Sequence, residues 1–144
     1  MEAKEYLNQV YLLDLQIQNK VDQVARMRAR VVDVRRALGV DRVQNNGPVS
    51  TMEDSVIRIL EEEAEINREI DRLVDLKKEI RETIGQVGDV IQRMILEKRH
   101  LNFEKWEAIQ VEMKLSRSWV YKMYHLALAE VQQILDRDCQ TEKD

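Results

Sequence analysis

Lys114, Arg117, Ser118, Trp119, Tyr121, Lys122 and His125 crowd into the stretch between Glu112 and Glu130, which contains no acidic residue. Charged residues make up 35% of the chain, so the gap leaves Lys114, Arg117 and Lys122 unopposed. Cations, hydroxyls and an indole with no carboxylate among them suit contact with phosphates and base edges. The competing reading is a solvated polar face with a chance gap in acids.

Those residues need a rigid carrier, and the spacing supplies one. Val120, Met123, Ala127, Val131 and Ile134 recur at intervals of three and four, which puts them on one stripe of a helix. Ser116 stands where an N-cap would accept a bond from an unpaired first-turn amide. Upstream, Val90 to Arg99 reads as an amphipathic helix, His100 to Phe103 as an interruption, and Glu104 to Met113 as a short second helix. Lys114 and Leu115 make the turn, and Ile109, Met113 and Leu115 offer the stripe an apolar bed. Two short helices, the second launched from a Ser cap, form the pattern of a helix-turn-helix.

On these residues the chain resembles the region 4 domain of bacterial sigma factors. The match runs through Leu96-Glu97-Lys98-Arg99-His100, Trp106-Glu107-Ala108-Ile109, and Leu115-Ser116 followed by Val120, Ala127 and Leu128. The whole chain is similar to sigma-like late-gene activators of Gram-positive phages and integrated elements, of the RinA and ArpU kind. That similarity rests on Asp41 to Gln44, Glu65 to Val74 and Leu101 to Glu107. It implies DNA contact by Arg117, Ser118, Tyr121 and Lys122, action with host RNA polymerase, and a bacterial cytoplasmic setting. Trp119 departs from the family's small or charged residue; it is read as a DNA-backbone contact, as a contact with a protein partner such as polymerase, or as half-buried against its own turn. Ala108-Ile109-Gln110 departs from the family's Ile-Ala.

The remaining chain reads as a rod. Tyr6, Val10, Leu13, Ile17, Lys20, Val24, Met27, Val31, Val34 and Leu38 follow a strict 4-3 spacing. So does a second run from Ile59 to Met94, broken only by Glu63 and Lys77. A sustained 4-3 apolar repeat signals coiled-coil packing. Between the runs, Gly39 is expected to close the first helix, Asn46-Gly47-Pro48 to turn, and Ser50 to Glu53 to cap the second. The fold class expected is therefore all-α: a long antiparallel helical hairpin followed by a C-terminal helix-turn-helix. The domains would be 1–86 for the coiled-coil hairpin, 87–137 for the DNA-binding part and 138–144 for a frayed tail. Gly85 to Asp89 reads as a hinge, with Asp89 and Gln92 as a capping pair. Leu7, Val21, Val32, Val74 and Leu76 widen the apolar surface and point to a homodimer, or else pack within the single chain against the DNA-binding part. Arg26, Arg28, Arg30, Arg35, Arg36 and Arg42 are read as partners of Glu61, Glu62, Glu63 and Glu65, or else as an auxiliary contact.

Composition bounds the function. One Cys excludes a disulfide framework, and one Cys with two His gives no zinc spacing. No run approaches the length of a membrane span and no signal segment is expected, so a cytoplasmic chain is anticipated. A net charge of −4 argues against a basic non-specific coat. No phosphate loop or nucleophile motif is present, so no enzyme, cofactor or small-molecule substrate is expected. Alternatives to a regulator are a small-terminase-like packaging component and a coiled-coil interaction protein that binds no DNA.

Overall fold

The computed structural model describes residues 1–38 and 46–143. Every regular element among them is helical: α1 (Ala3–Leu38), α2 (Asn46–Gly85), α3 (Val90–Leu96), a π-helical turn (Glu97–Leu101), α4 (Trp106–Met113) and α5 (Arg117–Lys143). The protein is all-α over this range. The C′ role expected of Gly39 lies outside the described residues. α2 begins at Asn46, four residues before the capping box expected at Ser50. Pro48 permits this, because first-turn amides have no intrahelical acceptor and a missing N–H there loses nothing. α5 continues to Lys143, past the end at Arg137 that the sequence suggested.

Two compact units emerge, one of residues 1–13 with 73–144 and one of residues 14–72. The first holds the C-terminal elements. Val120, Ala127 and Val131 on α5 are fully buried, as are Ile95 and Leu96 on α3 and Ile109 on α4. The α5 stripe is therefore the core-facing side its spacing announced. The first residues of α1 are tied into the same unit. The amide of Ala3 donates to Gln132 Oε1 at 2.7 Å, and the Tyr6 hydroxyl lies 3.1 Å from Thr83 Oγ1. Leu7, expected on an outer flank, is fully buried here. Its position off the 4-3 stripe is what this unit uses.

Gly85 to Asp89 is a true break rather than a bend. Asp89 Oδ1 accepts from the Ile91 amide at 3.0 Å and caps α3. The reciprocal arm expected of Gln92 is absent, since its Oε1 is buried without a hydrogen-bond partner. Glu130 Oε1 instead accepts from the Gly88 amide at 2.9 Å, closing the break against α5. The break also ends the second apolar run: Val87 is buried, whereas Ile91 and Met94, on the new helix, are partly exposed.

In the second unit, Val24 of α1 and Ile59 and Ile66 of α2 are buried. Lys20 Nζ donates to Glu65 Oε1 at 2.8 Å and to Glu69 Oε1 at 2.6 Å, and Arg28 pairs with Glu63. The α2 partner number falls as the α1 number rises. The hydrogen bond from Lys20 holds the Glu65 carboxyl below the usual carboxylate range. Of the interior-facing set, Val34 and Ile70 stay substantially exposed.

Burial predicts the response to truncation. Ile95→Ala removes a fully buried side chain and should cost about 3 kcal/mol of unfolding free energy. Val111→Ala, at a side chain 77% exposed, should stay within about 0.5 kcal/mol. Urea unfolding followed by circular dichroism checks both, and a similar loss for the two variants would contradict the packing described.

Candidate nucleic-acid interface

α4 and α5 are joined by Lys114, Leu115 and Ser116. Lys114 takes the left-handed conformation, φ 55°, and the Leu115 amide donates to Gln110 O at 3.2 Å. α4 thereby ends within one residue, at a conformation that costs a non-glycine side chain about 1 kcal/mol. Ser116 then caps α5, its Oγ accepting from the Trp119 amide at 3.2 Å. Because the stripe beginning at Val120 is driven into the core, the helix's phase is fixed. Arg117, Ser118, Trp119, Lys122 and His125 consequently come out exposed, as does Lys114 at the turn.

Two expected residues behave differently. Trp119 is 44% exposed and does not fold back on its turn. Lys122 Nζ lies 5.1 Å from its ring centroid, so the pair forms a cation–π contact on the outer face. Tyr121 is half-buried. Its ring lies 5.0 Å from that of Trp106, and the Arg117 guanidinium sits 5.6 Å from the Tyr121 centroid.

Arg99 and Tyr124 complete this arrangement, and sequence reading gave neither a role in it. The Arg99 guanidinium lies 4.7 Å from the Trp106 centroid and donates through Nη1 to Glu104 O at 3.0 Å. Trp106 meets Tyr124 edge to face at 4.7 Å. Arg99, Trp106, Tyr121 and Arg117 thus form a continuous ladder from the π-helical turn to the start of α5. The one sequence signal for it was the pair of tyrosines three apart on α5, which places both rings on adjoining faces.

Beneath the ladder, His100 Nε2 and the Tyr124 hydroxyl share a buried hydrogen bond of 3.0 Å. His100, in the interruption the sequence suggested, is a core residue. The π-helical turn brings it inward: the Asn102 amide donates five residues back to Glu97 O at 3.0 Å, which rotates His100 and Leu101 toward the core. Burial, with the charges of Arg99 and Lys4, pushes His100 down from 6.5 to about 4. Phe103 then needs φ 58° to leave the turn.

Glu112 and Glu104 gather around Lys98. Lys98 pairs with Glu112 and lies 3.8 Å from Glu104 Oε2. Burial and the neighbouring Glu112 hold the Glu104 carboxyl above the usual range, while hydrogen bonds from Lys98 and then Glu104 lower that of Glu112. Among the described residues no cluster of His, Cys, Asp or Glu is arranged to hold a metal ion. No described helix is long and apolar enough to cross a membrane. No family model, curated protein or solved structure matches the chain.

Two measurements test this geometry. The unfolded chain protonates His100 more readily than the folded one, so stability should fall as pH drops from about 6.5 towards 4 and then level off. The contribution is at most about 3 kcal/mol. Urea midpoints across that range should show the slope in the parent and a flatter one in His100→Gln. Lys114→Gly should raise the unfolding free energy by up to about 1 kcal/mol by relieving the left-handed strain. A lower thermal midpoint for this variant would contradict the turn geometry.

Proposed function

We propose that this chain is a sequence-specific DNA-binding transcriptional regulator. In this reading α4, its turn and α5 act as a helix-turn-helix, with residues 87–137 as the sigma region 4-like DNA-binding part. α1 and α2, over residues 1–86, act as a long antiparallel coiled-coil hairpin that pairs two chains. The resemblance to phage and mobile-element activators extends the reading to promoters served by host RNA polymerase.

One observation carries the proposal: the α5 face bearing Arg117, Ser118, Lys122 and His125 is exposed and free of acids, while the opposite stripe is buried. An amphipathic helix of this kind, started by a Ser cap after a three-residue turn, presents its first two turns to a major groove. The cation–π contacts of Arg117 and Lys122 hold both side chains on that face before any partner arrives. Preorganisation of this sort lowers the ordering cost of binding.

Mobility-shift titration against random-sequence and selected DNA tests the reading. Arg117→Ala should weaken binding to the preferred site by about 1–3 kcal/mol and relax preference at one base pair. Lys122→Ala should weaken binding to all sequences and reduce the slope of log affinity against log salt by about 1. Affinity of the double variant equal to that of the parent would remove the proposal.

A further inference from the structure

The contact between α1 and α2 in the unit of residues 14–72 has unlike flanks. One flank is closed by Lys20 donating to Glu65 and Glu69. The other is an open groove of about 390 Å³, lined by Val21, Ala25 and Arg28 of α1 and by Glu63 and Asn67 of α2. On α2 a 4-3-4-3 series runs along this open side as Val56, Leu60, Glu63, Asn67 and Ile70. It is distinct from the buried series through Ile59, Ile66 and Leu73, sharing with it only Glu63 and Ile70. On α1, Asp14, Val21, Ala25, Arg28, Val32 and Arg35 fall at intervals of seven, four, three, four and three, again on the groove side. Val21, Val32, Val56, Leu60 and Ile70 are each 40% to 58% exposed. Among the described residues of this unit, nothing covers a coiled-coil face so placed.

We infer that this groove is the contact surface for a second copy of the same chain, laid across it antiparallel about a two-fold axis near Ala25. The inference rests on the reading that two chains pair through α1 and α2, and it specifies the face and direction.

Charge selects both occupant and direction. The α1 stripe begins with Asp14 and ends with Arg35, and Ala25 lies near its midpoint. Reversal about Ala25 therefore sets Asp14 of each copy beside Arg35 of the other. Asp22 and Arg28 are likewise nearly equidistant from that point. A parallel arrangement would instead stack Arg26, Arg28, Arg30, Arg35 and Arg36 on their counterparts, and like charges at close quarters oppose pairing. Nucleic acid is a poor occupant: Val21, Val24, Ala25 and Ile66 make much of the lining aliphatic, and Arg28, its one cation, is already paired with Glu63. The isologous contact needs only one self-complementary surface, as closed dimers do. Asn67, the uncharged polar member of the α2 series, penalises registers that leave its amide covered without a partner.

Sedimentation equilibrium on the full chain, with circular dichroism as the folding check, tests the proposal. The parent should be a dimer at low micromolar concentration. Leu60→Asp should leave a helical monomer. Arg35→Asp, at an exposed position, should weaken the dimer about tenfold, two such pairs being lost per dimer. The double variant Asp14→Arg, Arg35→Asp should restore parental affinity. A monomeric parent would overturn the pairing itself. A dimer indifferent to Leu60→Asp would overturn this face while leaving self-association standing. Absence of rescue by the double variant would overturn the antiparallel direction. None of these outcomes depends on DNA binding by α5, which is measured separately.

Discussion

Burial of the α5 stripe constrains everything around the candidate interface, because a helix has no freedom to turn one face without turning the other. Val120, Ala127, Val131 and Ile134 are sealed in the core. With 3.6 residues per turn, the rotational phase of α5 is then set to within a fraction of a turn. The acid-free face is displayed as a consequence of packing rather than by any property of its own side chains. Lys114 and Ser116 add the direction, one by ending α4 in a left-handed conformation, the other by starting the helix at a defined residue.

Local irregularities are concentrated just where this phase is fixed. The π-helical turn and the left-handed Phe103 both precede α4, and together they carry His100 inward and Arg99 onto Trp106. A regular helix through this segment would change which side chains face α5. The resulting ladder of Arg99, Trp106, Tyr121 and Arg117 ties the candidate interface to the core beneath it. Its side chains are therefore held by packing on more than one element, which is what a precise contact surface requires.

The unit of residues 14–72 follows a different logic. Polar residues enter its apolar repeat at Lys20 and Glu63, and each finds an ionic partner within the unit, Lys20 in Glu65 and Glu69 and Glu63 in Arg28. Such pairs add little stability individually but discriminate between registers. Lys20 with Glu65 and Glu69 closes one side of the helix pair, while Arg28 and Glu63 pair on the side of the open groove. The aliphatic side chains left exposed along that groove, rather than total hydrophobicity, are what make it informative.

Much of this was written in local sequence. The α5 stripe, the Ser116 and Asp89 caps, the turn at Lys114 and Leu115, and the break after Gly85 all depend on residues a few positions apart. Periodicity and capping chemistry act over that range, so they are legible without a fold. The all-α class follows from the same signals. What the tertiary structure alone decided involves partners distant in the chain. Leu7 and Ala3 are recruited to the C-terminal unit, His100 is buried against Tyr124, and Trp119 is left outward under Lys122. α2 starts at Asn46 despite its turn-forming residues, and one flank of the α1–α2 contact is sealed while the other stays open. In each case the sequence permitted more than one environment, and the choice among them was made by packing and charge pairing between segments far apart in the chain.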